Sequence, residues 1–302
     1  MGRREVDVLF AVVAALASAA CFAGGSALQH RVASATSASD ESRPRFVARL
    51  LRRPSWVIGL GLSAVAFALH ALALSQGDLA LVQPVIVSGI VFAVLIRAGL
   101  DRRWPPRQTM IWLLLTWAGL ALFLLVRPSS AEDSGPARLA PVFVLIGVVL
   151  VIGAMLMARR SPGDRRRGVL LGTAAGVLFG LVAGLVKLVL AQLGDGWSEV
   201  FTHWTLWTLL AVGAWAIVLN QRAYQATGIS VTAPALNISQ VLVAIAFGML
   251  VLGEQAGSSV GVVAAQLVGL TVTILGVRNL AALPTETSDG DTAAVPAAAG
   301  RD

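Results

Sequence analysis

The segment LALVQPVIVSGIVFAVLI, Leu79–Ile96, decides how this chain is read. It is apolar enough for lipid, yet Gln83, Pro84, Ser88 and Gly89 stand close together in it. Proline removes a backbone donor and kinks a helix. Glutamine is costly to bury without a partner. A second stretch of the same kind, ISVTAPALNISQVLVAIAF (Ile229–Phe247), carries Thr232, Pro234, Asn237, Ser239 and Gln240. The reading works outward from these two prolines.

Of 302 residues, 57% are hydrophobic and 13% charged, and the mean hydropathy is +0.79. A soluble domain is nearer half apolar and a quarter charged. Apolar runs of about 20 residues read as membrane spans. Nine occur, at about 6–28, 55–76, 79–99, 108–126, 139–158, 168–192, 203–221, 229–250 and 258–277. They are continuous rather than alternating, which predicts helices and not a barrel. The fold class is therefore all-α, a polytopic membrane helix bundle. The bilayer is its first partner. The formal charge of +7 does not indicate nucleic acid, because the arginines sit in short blocks between apolar runs. The single cysteine, Cys21, excludes an intrachain disulfide.

Arginine placement sets the orientation. Loop one holds Arg31, Arg43, Arg45, Arg49, Arg52 and Arg53; loop three holds Arg97, Arg102, Arg103 and Arg107. Loop five holds Arg159, Arg160, Arg165, Arg166 and Arg167, loop seven Arg222, and Arg278 opens the C-terminal segment. Loops two, six and eight have none, and loop four only Arg127 and Arg138. Odd loops are then cytoplasmic, with the N-terminus outside and the C-terminus inside. Arg3 and Arg4 run against the rule, partly offset by Glu5 and Asp7. The N-terminal 21 residues also resemble a signal peptide. Against that reading, the apolar run continues past Cys21 to Leu28. Pro44–Arg53 is a basic segment with apolar residues at helical spacing, suited to an anionic leaflet or to solvent. The tail from about Ala282 has a disordered composition. Abundant alanine and arginine in place of lysine point to a GC-rich bacterial source, hence an inner membrane.

Residues 150 apart match between spans two to four and seven to nine: Pro84 with Pro234, Gly119 with Gly269, His70 with Asn220. At an offset of 157, Ala17–His30 aligns with Ala174–Lys187. Spans one to four thus resemble spans six to nine, with span five as a linker. An offset of five spans inverts the second unit. That is an inverted-topology repeat, the usual construction of a secondary transporter. The division is 1–135, 136–160, 161–280 and a tail, 281–302.

Interrupted segments at matching places in two inverted halves point to a binding site. Gln83, Pro84, Ser88, Thr232, Pro234, Asn237 and Gln240 are its candidate residues. The competing reading is two kinked helices whose polar groups hold neighbouring helices together. Lys187, the single lysine, lies in the outer third of span six. It reads either as an intramembrane functional charge or as a snorkelling side chain. His70 is a candidate proton acceptor or substrate contact, expected to face Asn220 across the pseudo-axis. Asn220, Gln221 and Tyr224 are candidates for a cavity wall, with Arg222 as a topology anchor. Glu254, ending span eight, reads as a solvated end. Trp56, Trp104, Trp197 and Trp204 read as interface anchors. There is no GxxxxGK[ST], HExxH or CxxC string, so the sequence points to no enzyme, no metal site and no cofactor.

The inverted four-helix unit, LVQPVIVSGIVFA and YQATGISVTAPALNISQVLVAIAF together resemble the drug/metabolite transporter superfamily over about residues 6–280. The usual ten-helix form without its first helix gives nine spans and an external N-terminus. The basic first loop, RRPSW and QRAYQATG…AP are most similar to the NIPA-type magnesium-transporter branch. That resemblance implies a glutamate in the second helix, where this chain has Phe67. Magnesium is bound through oxygen ligands that usually include carboxylates. Gln, Asn, Ser and Thr suit a neutral or zwitterionic organic solute better, and Lys187 in the cavity would repel a divalent cation. The expected function is alternating-access transport of a small polar or zwitterionic solute. The alternatives are a divalent-cation pathway and a non-transporting scaffold or accessory subunit. The sequence is compatible with a homo-oligomer.

Overall fold

Pro54 opens a helix where its missing N–H costs nothing, with Arg53 before it held extended at φ −90°, ψ 113°. The helix runs 23 residues to Gln76 and stops at Gly77, also extended. Punctuation of this kind recurs along the chain. The computed structural model describes residues 3–35, 52–100, 102, 104–126, 137–161, 163–194, 196–227, 229–254 and 259–282. Residues 44–51 of the basic segment, Arg127 and residues 283–302 of the tail lie outside these.

Among the described residues there is helix and no strand. Among these residues nine helices are long and apolar enough to cross a membrane: Glu5–Gln29, Pro54–Gln76, Leu79–Ile96, Arg107–Leu125, Ala137–Arg160, Asp164–Leu193, Trp204–Tyr224, Thr232–Val251 and Val260–Leu280. They match the expected spans in number and place, and are called spans one to nine below. A short helix, Trp197–Thr202, precedes span seven. Span five turns Val142, Leu145, Ile146, Val149 and Leu150 outward. In a bilayer these face acyl chains, where apolar exposure carries no penalty.

Span six is the most enclosed span and the axis of the bundle. Four glycines at four-residue intervals, Gly172, Gly176, Gly180 and Gly184, lie against span eight. A Cβ on Gly172 would come 2.7 Å from the Thr232 carbonyl oxygen, and one on Gly180 2.8 Å from that of Gln240. One on Gly176 would strike Leu236 and Ser239, and one on Gly184 would lie 2.5 Å from the Phe247 ring. Small residues let helix backbones approach in lipid, where packing rather than water exclusion drives association. Spans four and nine meet through Gly119 and Gly269: a Cβ on either would fall 2.7 Å from the other's carbonyl oxygen.

The two proline helices differ. Span three is interrupted: one helix ends at Val87, Ser88 turns at φ −62°, ψ −8°, and a second begins at Gly89. The helix Ile229–Val251 runs unbroken through Pro234. The expectation of two matched interruptions is therefore corrected to one. Span three follows its proline with a Ser-Gly pair, a common kink site. At the corresponding places the other helix has Ile238 and Ser239, and the Ser239 hydroxyl reaches the Ala235 carbonyl oxygen (2.7 Å) and that of Thr173 on span six (3.1 Å).

Candidate functional site

Gln83 is fully buried, one turn into span three and next to Pro84. Its side-chain oxygen accepts a hydrogen bond from Gln240 Nε2 on span eight at 3.2 Å. Its Nε2 lies 3.4 Å from His70 Nε2 on span two, so this pair requires the His70 tautomer with an unprotonated Nε2. A chain of three polar side chains thus joins spans two, three and eight. Asn237 sits one turn earlier on span eight, partly buried, with no side-chain partner among the described residues. Between the proline helices is a narrow gap of about 10 Å³ lined by Pro84, Pro234, Asn237, Val241 and Thr273. That is room for about one water. The arrangement is closed around a polar centre.

The other candidates fall into place around this. Ser88 is buried and its hydroxyl proton goes to the Val85 carbonyl oxygen at 2.6 Å, within the interruption itself. Thr232 is buried, against Gly172. Asn220 lies beside Tyr224, with its side-chain oxygen buried and unpaired. Gln221 and Arg222 are exposed. The partner of His70 is Gln83, and no hydrogen bond joins His70 to Asn220, the pair expected to face each other.

Lys187 was a candidate from the sequence, but its pairing with Glu254 is the part of the site that sequence reading missed. Glu254 is no solvated end: its side chain is only 8% exposed. Gly253 adopts φ +73°, which favours glycine, and turns the chain so that the Glu254 N–H reaches the Gly248 carbonyl oxygen at 2.9 Å. Gly248 leaves the space into which the carboxylate folds. There Glu254 accepts hydrogen bonds from the backbone amides of Leu79 (2.8 Å) and Ala80 (3.2 Å). It caps span three from outside, an office Asp78 does not perform with its own side chain. Lys187 Nζ donates to Glu254 Oε1 at 2.7 Å and to the Gly77 carbonyl oxygen at 2.9 Å, and lies 3.7 Å from Asp78 Oδ1. The cluster binds span six, the end of span eight and the start of span three. It sits about 6 Å along span three from Gln83, at 1.5 Å per residue. The missed signal was that a lone intramembrane lysine needs a counter-charge, and Asp78 and Glu254 are acidic residues at the same end of the bundle.

The string GSSVG, Gly257–Gly261, has the spacing of a hydrolase nucleophile motif, which requires a strand-to-helix turn. Ser259 instead precedes the last helix, and its hydroxyl accepts the Val262 amide at 3.3 Å. It acts as a helix cap.

The fold and its buried polar centre define a multi-pass α-helical membrane protein. The chain is 30% identical, over 250 residues, to an uncharacterized protein of Corynebacterium glutamicum, covering 82% of this chain and 86% of the relative. It belongs to the same family as that protein. No family model matches the chain, and no solved structure does.

Proposed function

We propose that this protein is a carrier of the drug/metabolite-transporter type. It moves a small polar or zwitterionic organic solute across the bacterial inner membrane by alternating access. Its N-terminus is outside and its C-terminus cytoplasmic. The observation that carries this reading is the buried Gln240–Gln83 hydrogen bond beside the unpartnered Asn237 and the gap between the proline helices. Neutral side chains that bond one another, as Gln240, Gln83 and His70 do, exchange partners readily, since a neutral hydrogen bond contributes only about 1 kcal/mol net. A solute with hydroxyl, amide or amino groups would replace them.

The inverted repeat is part of the proposal. Gly119 and Gly269, which align at the 150-residue offset, meet each other. A residue touching its own repeat mate is what a twofold axis through spans four and nine would produce. The one-residue break at Ser88, whose amide and carbonyl stay paired with Pro84 and Val91, interrupts the helix where such carriers bind their solutes.

A magnesium pathway is the second reading, and one observation favours it. Lys187 does not lie free to repel a cation but is bound to Glu254 and close to Asp78. The formal charge of these three is +1 −1 −1, or −1. Favouring the organic solute, the gap between the prolines is lined by an amide and a hydroxyl and by no carboxylate.

The test is a thermal-stability screen of purified protein against amino acids, nucleosides, sugars, organic cations and divalent metals, followed by flux into liposomes. A ligand at ~100 times its dissociation constant stabilises by about 2.7 kcal/mol. Stabilisation and flux with one organic class support the proposal. Stabilisation by magnesium and not calcium would replace it with the second reading. Absence of flux for every stabilising compound would refute transport in favour of a scaffold or accessory subunit.

A further inference from the structure

A second cavity, of about 300 Å³, opens at the arginine-rich end of the bundle between spans five, six and seven. Its walls are Arg159 on span five, Arg167 on span six and Arg222 on span seven, with apolar Met155, Leu171 and Leu219 behind them. None of these residues belongs to the glutamine site. The volume is at the lower end of the ~300–1,000 Å³ typical of small-molecule pockets.

Two features set these arginines apart from ordinary topology anchors. An anchor needs only to lie in the right loop. These come from three different helices and converge on one concavity, whereas Arg160, Arg165 and Arg166, their chain neighbours, do not line it. None of the three has an ion-pair partner among the described residues, Asp164 included. Uncompensated like charges gathered around a cavity repel one another, and an anion between them removes that cost. All three, like the other basic loop residues of this chain, are arginine. Guanidinium presents a planar fork of donors that matches phosphate oxygens in pairs, which an ammonium does not. Arg167 lies in the first turn of a 30-residue helix, whose positive end adds to the attraction.

We propose that this cavity is a binding site for a phosphate-bearing anion, gripped by Arg159, Arg167 and Arg222. Two sources present that chemistry at this face: the headgroup of an anionic phospholipid in the adjoining leaflet, and a soluble phosphate. Basic pockets between membrane helices commonly take lipid headgroups, and the apolar back wall offers an acyl chain a path.

The experiment uses the full chain in phosphatidylcholine nanodiscs. One arm adds phosphatidylglycerol and counts retained anionic lipid by native mass spectrometry. The other keeps neutral discs and follows the melting temperature with inorganic phosphate or glycerol 3-phosphate. The variant combines Arg159→Lys, Arg167→Lys and Arg222→Lys. It preserves charge and orientation but loses the paired donors. The control, Arg160→Lys with Arg165→Lys and Arg166→Lys, makes the same change outside the cavity. The proposal expects about a tenfold loss of anion binding in the variant and none in the control. Loss of retained phosphatidylglycerol alone identifies the lipid; loss of phosphate stabilisation identifies the soluble anion. Equal binding by wild type and variant, or equal loss in the control, overturns the proposal.

Discussion

Consider Glu254→Gln, a change of charge at nearly constant shape. The Glu254 carboxylate holds the Leu79 and Ala80 amides and the Lys187 ammonium at 2.8, 3.2 and 2.7 Å. Hydrogen bonds to a charged group contribute roughly 1.5–3 kcal/mol each, and removing one partner of a buried pair costs about 3–5 kcal/mol. The glutamine keeps a carbonyl oxygen for one amide. Lys187 keeps the Gly77 carbonyl oxygen and the nearby Asp78, and is itself 23% exposed. The loss should therefore fall to about 2 kcal/mol. If the cluster holds the outer end closed, that shifts the closed-to-open ratio by about 30-fold.

The assay follows from the single cysteine. In a Cys21→Ala background, Val241→Cys places one thiol at the gap between the prolines, where Val241 is 2% exposed. When opening is fast relative to reaction, labelling by a membrane-impermeant thiol reagent added outside reports the open population. Glu254→Gln should raise that rate by about 30-fold. Exchanging the charges, Lys187→Glu with Glu254→Lys, should not restore it, because the Leu79 and Ala80 amides would then face an ammonium. An unchanged rate in Glu254→Gln, with only a lower melting temperature, would refute the gate and leave the cluster as a fastener of the fold.

Gln83→Leu combined with Asn237→Leu should abolish liposome flux while insertion and the melting transition persist; retained flux would remove both residues from the solute site. Gly119→Ala should destabilise by about 1–3 kcal/mol, because its Cβ would press on the Gly269 carbonyl oxygen. Gly153→Ala, with nothing within 4 Å of the added carbon, is the control, and comparable melting of the two would refute the interface. Gly253→Ala forces a side chain into φ +73°, at about 1–2 kcal/mol. It should raise outside labelling of Val241→Cys by less than Glu254→Gln does.

The spans were legible because lipid imposes one rule on every residue in them: backbone groups must pair internally, so length and continuity suffice. The polar centre was legible for a related reason. Gln83 beside Pro84, and Gln240 six residues after Pro234, must find partners inside the bundle, and each found the other. The Lys187–Glu254 pair was not legible because apolar periodicity places residues along a helix but not the ends of helices beside one another. A glycine in the left-handed region, Gly253, decides which way Glu254 points. Gly172, Gly176, Gly180 and Gly184 stand four residues apart in the sequence, but that spacing does not name span eight as their partner. A four-residue glycine repeat states that a backbone approaches without stating whose.

The two polar clusters differ in what breaking them costs, and the difference orders the proposed cycle. At the centre, Gln83 and Gln240 exchange a neutral hydrogen bond, weak in net terms and replaceable by a solute that offers the same donors and acceptors. At the end proposed to face outward, Lys187 and Glu254 share a charge-assisted bond that an uncharged solute has no group to match. In the proposed carrier, selectivity would belong to the centre and closure to the Lys187–Glu254 end. Glu254 couples them, because it holds the first amides of the helix that carries Gln83 one turn further on. A solute pulling Gln83 away from Gln240 would act on span three, whose N-terminus Glu254 holds. Gly89 and Ser88, at the interruption below, are where the rest of that span can stay behind. If the proposal holds, such a carrier would open outward by moving a short helix, Leu79–Val87, and not the whole of a four-helix unit.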